Sequence, residues 1–320
     1  MNNKQKGTID IMASFAFIKE LAEKKDKNGN GFLDLTVIGS DKKEYPAKVW
    51  RFENNGQFET GQVVEIEYTV DNYKGKTQLT ITGIKQGPDE MIKEFVPASD
   101  HDGKAVFSML LNKVNDFNDN DLKTIVSAIM LKYRDKIEVF PAAYRLHHAI
   151  VGGLMLHTAS IVEMAEKICS IYPNINRELL LSGAILHDVA KTFEMQTSKT
   201  GLCSGYTVGG ELIGHLVKGA MYIEETAKEL GISNEKVTLL EHMVLSHHGV
   251  PEYGSPVRPM FVEAEVLSAL DSLDATIFEI NNATHKVEAG TFTERQWALD
   301  NRKLYNHGLS TNEHIVNLGD

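Results

Sequence analysis

The chain has 320 residues, 42% of them hydrophobic and 24% charged, which suffices for one large or two ordinary domains and excludes a collagen-like or wholly disordered chain. A net charge of −11 excludes a broad basic surface as the means of gripping nucleic acid, so any such contact needs a local groove or bound cations that reverse the local sign. No apolar run approaches the roughly 18 residues of a membrane span, the N-terminus lacks the apolar core of a secretory signal, and Cys169 and Cys203 form no CxxC; together these suggest a cytoplasmic protein outside the membrane.

From Gly31 to Lys85 the pattern is strand-like. GFLDLTVIG alternates, with Phe32, Asp34, Thr36 and Ile38 on one face and Leu33, Leu35 and Val37 on the other. EYPAKVWRF, GQVVEIEYTV and KTQLTITGIK follow, separated by the turn-rich NNGQFETG and DNYKG. Four or five short strands in about 60 residues predict a small barrel or sandwich within residues 1–88. Residues 89–105 mix Gly, Pro and charge and read as a linker. From Val106 to Ala289 the period is helical, with one apolar stripe from Val151 to Ile168 and another from Leu179 to Leu186. Further helices are predicted at 121–134, 209–230, 235–247 and 260–283, with Asn176 and Ser233 as N-caps. Residues 290–320 have weak periodicity and read as a C-terminal tail. The expected architecture is multidomain: an all-β barrel followed by an all-α domain.

Twelve histidines are more than the composition requires, and their placement is informative. His157, the pair His187-Asp188, His215, the pair His247-His248, and Asp271 each lie within an apolar helical stripe or at its end. Leu154 precedes His157 by three, Leu212 precedes His215 by three, Val244 precedes His247 by three and Leu267 precedes Asp271 by four, so each should point inward. A buried imidazole or carboxylate is costly unless paired or bound to metal. A lone core histidine is usually explained by a hydrogen bond. Five or more inward polar residues on different helices are better explained by a shared site in which divalent cations offset their burial. Mixed His/Asp donors without cysteine suit Mn, Fe, Zn or Mg-assisted hydrolysis rather than a structural zinc.

The blocks HHAIVGGLMLHT, GAILHDVAK, ELIGHLVKG, LSHHGVPEYGSPVRP and LSALDSLDA, in that order behind FLDLTVIG, YPAKVWRF and DNYKGKTQLTI, resemble the YhaM-type HD-domain exoribonucleases, which degrade RNA from the 3′ end. The resemblance runs over about residues 8–285 and implies an N-terminal OB fold and an HD phosphohydrolase domain. It implies that His157, His187, Asp188 and Asp271 hold one metal. Asp188 would bridge to a second, held also by His215 and by His247, His248 or both. The expected cofactors are two divalent ions, with Mn²⁺ first and Mg²⁺, Co²⁺ or Fe²⁺ as alternatives. Asp274 is as well explained by a structural ion pair or cap as by any ligand role. Asp188 and Lys191, as the HDxxK pattern suggests, form the expected catalytic pair, with the Lys191 ammonium on a phosphate oxygen.

Candidate substrate contacts are His148 in the first block, Arg145 two residues before that block begins, and Arg258 in the loop after His248, with Tyr253 as a further stacking candidate. In the barrel they are Lys48, Trp50, Tyr73, Lys74 and Lys76, which offer aromatic and basic groups to a single strand. Lys48, Trp50 and Phe52 share one strand face, which is either a binding face or the core. The expected substrate is single-stranded RNA, with single-stranded DNA as a second, and self-association is compatible with all of this. Two rivals stand beside this reading: an HD phosphohydrolase acting on a small nucleotide, and a non-catalytic RNA-binding regulator.

Overall fold

Alternating apolar and polar residues build the first unit, and helical apolar stripes the second. The computed structural model describes residues 12–73, 76–96, 99, 101–143, 150–198, 201–309 and 316, with the backbone alone at 72, 73, 76 and 89. Its contacts place the described residues up to Val96 in one compact unit and nearly all of those from Ser99 onward in another.

The first unit is a closed five-stranded barrel of β1 (Met12–Lys25), β2 (Gly31–Ile38), β3 (Glu44–Trp50), β4 (Val63–Tyr73) and β5 (Lys76–Gln86), in the order β1-β2-β3-β5-β4 with β1 also paired to β4. β3 and β5 run parallel; the other pairs are antiparallel. This is the OB topology. β1 reaches both neighbours because it is 14 residues long and shifts register between Ile18 and Glu20, pairing with β4 through its first half and β2 through its second. Leu33, Leu35 and Val37 point into the barrel as the alternation predicts, and meet Ala47, Val49, Ile66, Leu79 and Ile81 there. Trp50 is 46% exposed and lies on the outside. Phe52 does not share its face: β3 ends at Trp50, Arg51 takes a left-handed φ of 53°, and Phe52 turns to pack on Phe58 at the barrel core.

A short helix α1 (Ile92–Phe95) falls in the stretch expected as a linker, and so does the start of α2 (Gly103–Asn115), capped by Asp102. The second unit continues with α3 (Asn120–Ile137), α4 (Gly153–Ile171), α5 (Arg177–Leu186) and the single turn α6 (Lys191–Glu194). A hairpin of β6 (Met195–Thr197) and β7 (Cys203–Tyr206) leads to α7 (Val208–Glu229), α8 (Glu235–Ser246) and α9 (Val262–Thr284). Asn176 caps α5 as expected, its side chain accepting from the Leu179 N–H. The cap of α8 is Asn234, one residue beyond Ser233, and it accepts from the Lys236 N–H. Beyond α9, β8 (Thr291–Phe292) and β9 (Tyr305–Asn306) pair where the sequence showed only weak periodicity. α4, α5, α8 and α9 pack around one apolar core, and the polar donors lie within it.

Candidate metal centre

Five imidazoles and two carboxylates converge between these helices. His157 sits one turn into α4; His187 and His247 are the residues at which α5 and α8 end; Asp271 lies midway along α9. His157, His187, Asp188, His215, His247 and Asp271 are buried and His248 is half-buried. Three overlapping sets each bring their donor atoms within 4.8 Å of one another: His157, His187 and Asp271; His187, Asp188 and His247; and His215, His247 and His248.

The Nδ1 atoms set the tautomers. Those of His187, His247 and His248 lie 2.8, 2.6 and 2.8 Å from the carbonyls of Ala184, Val244 and Tyr253. A carbonyl can only accept, so each Nδ1 donates and each Nε2 keeps its lone pair. His157 Nδ1 meets Asp274 Oδ2 at 2.7 Å, and His215 Nδ1 meets Glu194 Oε1 at 2.9 Å. Carboxylate partners of this kind orient metal-binding imidazoles and raise their basicity. Asp274 thus has the ion-pair role, through His157. Glu194 was not singled out in the sequence; its available signal was a carboxylate three residues after Lys191.

Asp188 straddles the cluster. Its Oδ2 lies 3.3 Å from His187 Nε2 and 3.7 Å from His157 Nε2, and its Oδ1 lies 3.5 Å from His215 Nε2 and 3.6 Å from His247 Nε2. His157 Nε2 is 3.1 Å from Asp271 Oδ1 and 3.4 Å from His187 Nε2. Two ligands each about 2.1 Å from one ion, at roughly 90–110°, lie about 3.0–3.4 Å apart, so these spacings match donors around shared cations. Asp188 Oδ1 and the Nε2 atoms of His215 and His247 are buried without a hydrogen-bond partner among the described residues. An uncompensated buried carboxylate costs several kcal/mol. The Lys191 ammonium, 2.7 Å from Oδ2, offsets part of that charge, but the imidazole lone pairs need a Lewis acid. The donor set therefore fits divalent metal.

Burial disfavours ionised Asp188, yet the Lys191 ammonium outweighs it and holds the carboxyl well below its usual range. Burial likewise disfavours the His157 imidazolium, but Asp271 and Asp274 raise its pKa to about 10, a measure of how strongly this position favours positive charge. Burial and the neighbouring His247 push His248 down to about 4, leaving it a neutral donor. Burial disfavours the Lys191 ammonium, but Asp188 keeps its pKa raised, so it stays charged.

His215 reaches the cluster by a different route from the one its spacing suggested. Leu212, three residues earlier, is 80% exposed although His215 is buried. Gly214, with φ 73° and ψ 166°, breaks α7 between them and rotates the following segment inward.

Of the expected substrate contacts, Lys48 and Trp50 stand on the outer face of β3, with Lys48 Nζ 5.1 Å from the Trp50 ring centroid and 5.3 Å from that of Phe32. Phe32 lies beneath Trp50, with ring centroids 4.7 Å apart. Tyr73 and Lys76 face one another at the tip of the β4–β5 hairpin, their side chains outside the described residues, as is all of Lys74. Arg145 and His148 also lie outside the described residues. Arg258 and Tyr253 are exposed on the segment between α8 and α9.

The HD-domain family profile matches residues 154–276, and a putative-helicase profile matches residues 104–176. The protein named 3′-5′ exoribonuclease YhaM in Geobacillus sp. (strain WCH70) is 35% identical over 297 residues, covering 91% of this chain and 90% of the relative. The chain belongs to the YhaM 3′-5′ exoribonuclease family. YhaM proteins of Listeria monocytogenes (33% identical; 93% of this chain, 95% of the relative) and Bacillus pumilus (34%; 87% and 89%) also match over most of their length. YhaM-family membership thus spans the barrel and the helical unit alike. Among solved structures, the mitochondrial single-stranded DNA binding protein Rim1 of S. cerevisiae aligns over 25% of this chain and 96% of its own, at 21% identity and a TM-score of 0.21. Among the described residues, no helix is long and apolar enough to cross a membrane.

Proposed function

We infer that this protein is a metal-dependent 3′→5′ exoribonuclease that hydrolyses single-stranded RNA to nucleoside monophosphates. The observation that carries the reading is an intact five-histidine, two-aspartate cluster in a chain that matches YhaM exoribonucleases over nine-tenths of its length. His157, His187, Asp188 and Asp271 hold one ion, and Asp188, His215, His247 and His248 a second. Mn²⁺ is the proposed metal. Bound divalent ions supply a nucleophilic water at neutral pH and neutralise charge on the phosphodiester. Asp188, held ionised by Lys191, presents one oxygen to each half of the cluster. The Lys191 ammonium, fixed beside it, is placed to donate to a non-bridging phosphate oxygen as negative charge builds there.

In the barrel, the solvent-facing ring of Trp50 stacks on a base and Lys48 meets the backbone, on the strand 2–3 face that OB folds use for oligonucleotides. Tyr73, Lys74 and Lys76 extend that contact at the β4–β5 tip, and Arg145, His148 and Arg258 serve the phosphates entering the cluster. Residues 1–88 act as the binding domain and residues 106–289 as the hydrolase, joined by 89–105 and followed by a tail at 290–320. Single-stranded DNA is a second substrate, the protein works in the cytoplasm, and self-association is compatible with this reading. The test is 5′-labelled single-stranded RNA incubated with Mn²⁺. Progressive shortening from the 3′ end, lost in His187→Ala and Asp188→Ala, is expected. RNA left intact while a small nucleotide is cleaved would point to a nucleotide phosphohydrolase, and binding without cleavage to a regulator.

A further inference from the structure

Glu194 lies outside the donor set, yet it makes two hydrogen bonds to one donor. Its Oε1 accepts from the His215 backbone N–H at 3.1 Å and from His215 Nδ1 at 2.9 Å. The first bond is available because Gly214 breaks α7. In an unbroken helix the His215 N–H would bond the carbonyl four residues back. The φ and ψ of Gly214 belong to a region open essentially to glycine alone. The Glu194 carboxylate thus caps the second segment of α7 and orients its first imidazole in one contact. The α6–α7 junction fixes Glu194 in turn. Its carbonyl accepts from the Thr207 N–H at 2.9 Å, and Thr207 Oγ1 donates to the Phe193 carbonyl at 2.9 Å. Gly210 lies so close that a Cβ there would come within 2.1 Å of the Glu194 carbonyl oxygen. Meanwhile His157, His187 and Asp271 are carried by α4, α5 and α9, whose mutual packing does not pass through this junction.

We propose that Glu194 is a positioning residue that, with the Gly214 break, aims His215 Nε2 at Asp188 and makes the His215–His247–His248 half of the cluster conditional on the α6–α7 junction, while the His157–His187–Asp271 half stands without it. This rests on the metal-centre reading and sorts its two ions into an unconditional and a conditional site. The test is Mn²⁺ binding to the full-length chain by isothermal titration, with electron paramagnetic resonance to distinguish a coupled Mn²⁺ pair from a single ion. Wild type should bind two ions and give a coupled spectrum. Glu194→Ala should keep one ion at wild-type affinity, bind the other about 10- to 100-fold more weakly, and give the single-ion spectrum at limiting Mn²⁺. Gly214→Ala should behave alike, and Glu194→Gln, which keeps an acceptor oxygen, should fall nearer wild type. Melting curves without metal check that each variant folds; if Glu194→Ala does not, Glu194→Gln carries the test through its weaker second site. Two ions bound at wild-type affinity in Glu194→Ala, or both weakened in parallel, would overturn the proposal. Wild type binding no Mn²⁺ would overturn the metal-centre reading along with it.

Discussion

Lys48 and Trp50 stand on the outside of a barrel whose core is complete without them, whereas the donors of the helical unit lie inside its core and depend on one another. The two units therefore answer differently to mutation. Removing an exposed ring takes away a contact and little else, because surface substitutions usually change stability by no more than about 0.5 kcal/mol. Removing one member of a buried polar cluster leaves its neighbours unpaired and disturbs chemistry and folding together.

The contrast can be broken most decisively at Asp188. Asp188→Ala removes the group shared by both halves of the cluster, so the cleavage rate should fall by more than the roughly 10²-fold typical of losing an outer partner of a metal ligand. Binding of long RNA, measured by filter retention, should persist; loss of both would erase the proposed division of labour. Metal removal comes next. Chelation should abolish cleavage, and Mn²⁺ restored at about 100 times its Kd should stabilise the helical unit by about 2.7 kcal/mol for each ion bound. For a unit of this size that is about 5–10 °C of Tm, and the barrel's transition in the calorimeter should not move. Trp50→Ala should weaken single-stranded RNA binding by about 1–3 kcal/mol, or roughly 5- to 150-fold, with unchanged hydrolysis of a dinucleotide. Equal losses on both substrates would contradict the assignment of the outer β3 face.

The smallest expected effect sharpens the comparison from a surface ion pair of the helical unit. Burial alone would raise the Glu166 pKa, but Arg177, which grips both carboxylate oxygens, and Lys113 hold it below 4.5. A depressed carboxyl contributes stability in full above its unfolded value and loses it as pH falls through the folded one. Arg177→Met should therefore cost about 1 kcal/mol or less near neutrality, and the gap between the two melting curves should close as pH drops from about 5 to 3. A gap independent of pH would mean that Arg177 acts through packing.

The barrel interior and several of the buried polar residues that converge were legible in the sequence, because burial imposes a period that survives in the chain. Leu33, Leu35 and Val37 mark the barrel interior, and Leu154, Val244 and Leu267 mark the faces of His157, His247 and Asp271. Where an element breaks its own period, the pattern misleads. Leu212 gave the right direction for His215 for the wrong reason, since Gly214 rephases the helix between them. Phe52 leaves the face of Trp50 because the left-handed Arg51 breaks the alternation of the strand, although the Phe52 N–H still bonds the Gly31 carbonyl. β1 was not marked as a strand because ELAEKK carries residues that favour helix, and only long-range pairing on two sides makes it extended. Glu194 was passed over because its importance comes from a bend 20 residues later in the chain.

β1 is hydrogen-bonded to β2 along one part and to β4 along another, and so seals the barrel by itself. A closed sheet offers no ladder for a foreign strand. Proteolytic clipping of this one segment would uncover two free edges at once, along with the apolar lining behind them, and turn a closed module into a template for intermolecular β-pairing. The long first strand thus guards the barrel against foreign strands as well as closing it.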